Sequence, residues 1–138
     1  MSEIIIYVDT SEILDGKIGD LEKAVAGLVK FVDEHESRPI AYSFYFNQEK
    51  TRMTLIQVHP DSASLELHMQ IAASNFPQFT EYIKFLKIDV YGKPSESLLT
   101  LLKKKTQMLG SGVVELHELQ SGFIRLDTAR HNRKKNPG

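Results

Sequence analysis

The chain has no cysteine and no tryptophan among its 138 residues, and only five prolines. The first absence excludes a disulfide scaffold, a thiolate metal site and a cysteine nucleophile. Charge of one sign is lacking too, since 17 basic residues face 18 acidic ones for a formal charge of -1. That balance offers no general electrostatic warrant for nucleic acid. No apolar run approaches membrane-spanning length, and MSEIIIYVDTSEI lacks the basic stretch and long apolar core of a secretion signal. The expectation is a cytoplasmic protein with no membrane and no nucleic-acid partner. Its length fits one domain, residues 1–126, followed by a basic flexible tail over 127–138 that includes His131.

What is present is a set of segments with clear periods. Ile4, Ile6 and Val8 alternate with Ile5 and Tyr7, predicting a central strand bounded by Asp9 to Ser11. From residue 17 to 36 the period lengthens. Ile18, Leu21, Val25, Leu28 and Val32 form the stripe of an amphipathic helix, which Pro39 ends by disfavouring helical geometry at Arg38. In IAYSFYF, Tyr42, Phe44 and Phe46 share one face, while Ala41, Ser43 and Tyr45 share the other. After NQEKTR, Met53, Leu55, Gln57 and His59 alternate with Thr54, Ile56 and Val58 in a returning strand.

Asp61 or Ser62 can cap a helix that places Leu65, His68, Met69 and Ala72 on one face. Phe76, Phe79 and Ile83 predict a second short helical segment, bent near Asn75 and Pro77. Residues 85–91 read as a strand. Leu98, Leu101, Leu102 and Leu109 then mark a helix ending at Gly110 and Gly112, and residues 113–118 another strand that SGFIRL extends along the edge. The fold class is α+β: a ferredoxin-like split βαββαβ core with an additional C-terminal helix and strand. Apolar residues on both sheet faces call for cover on the second face, which a homodimer supplies.

Among titratable groups, His68 is the leading catalytic candidate, because its imidazole adjoins an apolar surface and exchanges a proton near neutral pH. Tyr42 and His59 are further candidates. Asn75 offers a donor and an acceptor beside the rings of Phe76 and Phe79, which makes a substrate-binding set. No local spacing marks a metal site, and no glycine-rich phosphate loop, nucleophile elbow or HExxH signature occurs; GKIG is too short for a nucleotide cradle.

The succession YSFYF, TLIQVHPDSASLELH and NFPQF resembles the antibiotic biosynthesis monooxygenase family over roughly residues 3 to 91. His68 matches the histidine of that family's helix, and Phe76 and Phe79 match its later aromatic positions. The resemblance implies a dimeric alpha-beta barrel. It also implies a monooxygenase that oxidises a small phenolic or quinol-like aromatic with dioxygen, using no metal and no organic cofactor. The haem-degrading branch joins an asparagine near the first strand to a tryptophan and a haem-ligating histidine; IIIYV has no asparagine and the chain no tryptophan. The alternative function is that of a noncatalytic homodimer binding a small hydrophobic ligand, or serving in assembly alone.

Overall fold

A computed structural model describes residues 3–125. Eight regular segments and two short 3₁₀ turns build it in the order β1 (Ile5–Ile13), α1 (Ile18–His35), β2 (Ala41–Phe46), β3 (Arg52–His59), α2 (Ser62–Ala72), turns at Ala73–Asn75 and Pro77–Glu81, β4 (Ile83–Tyr91), α3 (Glu96–Met108) and β5 (Val113–His117). The five strands form one sheet in the order β2-β3-β1-β4-β5. β1 pairs antiparallel with both β3 and β4, β2 pairs antiparallel with β3, and β5 alone runs parallel to its neighbour, β4. This is the βαββαβ core expected, with α3 and β5 appended at one edge. The sheet of the single chain is open, with β2 and β5 at its edges.

The helices follow from side-chain period and capping. On α1, Leu21, Leu28 and Val32 are buried against the sheet, each contributing on the order of 1.5–3 kcal/mol of apolar burial. Asp61 caps α2 by accepting from the Ser64 backbone amide at 2.9 Å, and Ser95 caps α3 by accepting from that of Leu98 at 3.1 Å. Each carboxylate or hydroxyl satisfies an amide that the first helical turn leaves without a partner.

Three expectations change. β1 runs past Asp9 to Ser11 as far as Ile13, because these polar residues take inward positions opposite Leu55 and Met53 and keep the ladder intact. The segment bearing Phe76 and Phe79 is not a helix that reaches Ile83: it is two 3₁₀ turns, and Ile83 opens β4. Three residues complete one 3₁₀ turn, so Phe76 and Phe79 still meet on one side, and Pro77 enters at a turn start where its missing N–H matters least. Residues 121–125 of SGFIRL form no strand, and the tail over 127–138 lies outside the described residues.

A register shift between Thr10 and Ser11 lets Thr10 face Lys87 but Ser11 face Phe85. The extra residue on β4, Leu86, is a β-bulge that resets the side-chain phase. Without it Phe85 and Ile83 would turn outward; with it both join the core.

Candidate active site

Along β1 the inward positions read Ile5, Tyr7, Asp9 and Ser11, and all four are buried. Two polar residues thus stand on the inner face of the central strand. α3 answers them with Lys105, which sits on the same stripe as Leu98 and Leu102 and is only 4% exposed. Its ammonium donates to the Tyr7 hydroxyl at 2.6 Å and to Asp9 Oδ2 at 3.2 Å, while the Tyr7 hydroxyl donates to the same Oδ2 at 2.6 Å. The rings of Phe76 and Tyr7 lie 4.6 and 4.9 Å from that ammonium. Burial pushes Lys105 below the usual lysine range, and Asp9 offsets part of the effect. Tyr7 is held well above the usual phenol range, by burial first and then by the charge of Asp9.

The second group gathers where α1 ends. His68 on α2 is completely buried, and its Nδ1 lies 2.8 Å from Oε2 of Glu36, the residue that caps α1. A carboxylate accepts only, so Nδ1 carries the hydrogen and Nε2 is left as the basic nitrogen. Nε2 is buried and has no hydrogen-bond partner among the described residues. The ring of Tyr42 lies 5.1 Å away, that of His59 6.0 Å and that of Phe76 6.4 Å. Tyr42 also has a buried hydroxyl with no partner among the described residues. Burial, then the charges of Asp9 and Glu36, keep that hydroxyl protonated far above the usual range.

His59 is wired differently. Its Nε2 lies 2.7 Å from Gln57 Oε1 and its Nδ1 2.7 Å from the Ser64 hydroxyl. The amide oxygen fixes Nε2 as the protonated nitrogen, so Nδ1 accepts from Ser64. Burial, followed by the neighbouring His68, lowers its pKa to about 3. It is a neutral ring with both nitrogens engaged.

A cavity of about 30 Å³ lies under the sheet, and Asp9, Ser11, Tyr42, Phe76, Phe79 and Lys105 line it together with aliphatic side chains. Of the residues predicted from sequence, Tyr42, Phe76 and Phe79 therefore converge on one space. His68 stands behind Tyr42 and Phe76, His59 is one ring further away, and Asn75 lines no part of the cavity although its Nδ2 is buried without a described partner. Glu36, Asp9, Ser11, Tyr7 and Lys105 were not foreseen.

On the opposite sheet face, Asp89, Glu115 and His117 bring one potential ligand atom each within 4.8 Å of the others. Lys87 already lies 3.2 Å from Asp89 and 3.1 Å from Glu115, supplying a cation to both carboxylates. His117 Nε2 donates to Asp89 at 2.8 Å, and its ring stacks on Tyr91. Burial works against ionisation of Asp89, but the bonds from His117 and Lys87 outweigh it and hold the carboxyl below its usual range.

No family model matches the chain. No curated protein matches it either. Solved structures do. The architecture is similar to that of MupZ from Pseudomonas fluorescens, at 18% identity and a TM-score of 0.69 over 91% of each chain. A conserved protein from Methanosarcina mazei aligns with 67% of this chain and 94% of its own at 21% identity and a TM-score of 0.59. A candidate antibiotic biosynthesis monooxygenase from Deinococcus radiodurans aligns with 66% of this chain and 93% of its own at 9% identity and a TM-score of 0.55. The chain shares their ferredoxin-like fold. The core is common to all three, and in MupZ the likeness extends over the C-terminal additions as well.

Proposed function

We propose that the chain is a monooxygenase that deprotonates a small phenolic or quinol-like aromatic and lets the resulting anion react with dioxygen, with no metal and no organic cofactor. The Glu36–His68 pair carries this reading: a buried carboxylate orients an imidazole whose other nitrogen is free, directly behind Tyr42 and Phe76, which line the cavity. That arrangement suits a general base, because the carboxylate both fixes the tautomer and stabilises the imidazolium that forms. Fold likeness to a candidate antibiotic biosynthesis monooxygenase supports dioxygen as the second reactant.

His68 Nε2 takes the acidic proton, with Tyr42 positioning the oxygen that loses it. For a substrate whose reacting carbon bears two hydrogens, the anion supplies the electrons to dioxygen. One oxygen atom becomes a new carbonyl and the other leaves as water, so no external reductant enters. His59 takes no part in the proton transfer, because both of its ring nitrogens are engaged by Gln57 and Ser64.

The working unit in this proposal is a homodimer. Ile4, Ile6, Val8, Ile56 and Val58 point away from the helices and are only partly covered, and a second copy over this face would complete a dimeric alpha-beta barrel. Sedimentation at micromolar concentration should give a dimer; a monomer alone would remove this part.

Oxygen uptake by metal-free protein with hydroquinones and anthrones tests the reaction. Enhancement over buffer that disappears in His68→Gln supports it, and no enhancement across the panel overturns it. The cavity size favours a second reading, the noncatalytic ligand-binding homodimer, since about 30 Å³ holds only one or two waters. Aromatic binding with no oxygen uptake would establish that reading instead.

A further inference from the structure

Lys105 is the one buried cation among the described residues, and proton abstraction by His68 leaves it without a task. An ammonium has three N–H donors. Two are taken, by Tyr7 and by Asp9. The third meets no polar acceptor among the described residues, only the faces of Phe76 and Phe85 at 4.6 and 5.8 Å from the nitrogen. Two positions along β1 from Asp9, the Ser11 hydroxyl is fully buried and also without a partner, as is that of Tyr42. These groups line one cavity.

An ion pair that served stability alone would not explain this. Desolvating two charges offsets most of their attraction unless the remaining donors are satisfied, and here they are left open on a shared space. The ammonium can only donate and the two hydroxyls can also donate, so a single acceptor atom could satisfy all three. Asp9 already neutralises one charge, so the site does not suit a doubly charged phosphate. The apolar remainder of the wall suits a flat hydrocarbon body.

We infer that the cavity binds its ligand as a single-oxygen monoanion, a phenolate or enolate whose oxygen accepts from Lys105, Ser11 and Tyr42. Asp9 and Tyr7 hold the ammonium in place and set its charge balance. This deepens the proposed reaction and rests on the same cavity: His68 removes the proton and Lys105 retains the anion. Phe76 and Lys105 also line a surface groove of about 470 Å³ between α2 and α3, and a ring that reaches the cavity from there requires these two side chains to part, because about 30 Å³ holds only water.

A nitrophenol, coloured only as the phenolate, tests the inference without any oxygen chemistry. In wild-type protein the bound dye should ionise at least about one pH unit below the free dye, an approximately tenfold shift in its ionisation constant. Lys105→Gln should abolish the shift. Asp9→Asn should strengthen phenolate binding by about tenfold or more, because it removes the competing negative charge; a merely structural Asp9 would weaken binding. Circular dichroism checks that each variant is folded, and if Lys105→Gln is not, the wild-type shift and the Asp9→Asn direction decide. No binding, binding without a shift, or equal displacement of the dye by benzoate overturns the inference. A phenolate signal with no oxygen uptake would retire the oxygenase reading alone, and oxygen uptake with no signal would retire the oxyanion site alone.

Discussion

The carboxylate of Glu36 accepts from Nδ1 of His68 at 2.8 Å, although 32 residues separate them in the chain. The contact exists because α1 ends at His35 and the backbone of Glu36 turns to an extended conformation, directing the side chain towards α2. Shortening the acid by Glu36→Ala leaves a buried ring N–H unpaired, with an expected destabilisation of about 1–3 kcal/mol in urea titrations. Glu36→Gln should cost less stability. Under the proposed reaction both variants should slow oxygen uptake, by less than the about 10²–10⁴-fold expected for His68→Gln.

His59 should make stability depend on pH in a defined direction. Its folded pKa is about 3 against an ordinary 6.5, so between those values the unfolded chain binds a proton that the folded chain does not. Stability from this group is complete above the ordinary pKa and falls as pH drops, by about 1.4 kcal/mol per unit, until the folded pKa is reached. Comparing denaturation curves of wild type and His59→Gln across that window isolates the contribution. Parallel curves would show that the ring titrates freely in the folded protein.

Removing Lys105 leaves Asp9 as an uncompensated buried charge. Lys105→Met should therefore destabilise the fold by about 3–5 kcal/mol, measured by chemical denaturation. The double variant Asp9→Asn with Lys105→Met should recover much of that loss, because no isolated charge remains. Additive losses would mean that the two side chains do not interact.

Gly112 has φ +111°, and a β-carbon there would lie 2.7 Å from the Phe85 ring. Gly112→Ala should cost on the order of 1–3 kcal/mol from backbone strain, with displacement of Phe85 adding to it. Thermal melts give the size. An unchanged melting temperature would show that the β5 entry is free to rearrange.

The strands were legible because alternation survives in short segments: Tyr42, Phe44 and Phe46 all pack towards the core, and Tyr45 is exposed as its phase requires. Half of the site was legible for the same reason, since His68 and Tyr42 lie on apolar faces. Asp9 and Ser11 carried a signal that was read as a strand boundary, though they share the phase of Ile5 and Tyr7. Lys105 carried one too: it falls three residues after Leu102 and four before Leu109, on the buried stripe, but KKK reads as a solvated run. Glu36 had no local signal, because its role depends on where two helix ends meet. The 3₁₀ turns escaped because spacings of three residues serve either helix type over so short a segment.

β5 is parallel to β4 and reaches it through α3, and its partners lie much closer in sequence, as Tyr91 to His117, than those that join β1 to β4, as Ile6 to Tyr91. Loop closure costs more over the longer stretch. The pairing of β1 with β4 is therefore expected to be the late event, and the contact of Lys105 with Asp9, across 96 residues, comes with it. Substitutions at these two positions should then accelerate unfolding and leave the folding rate nearly unchanged, so the lifetime of the cavity is set by the contact that spans the most chain.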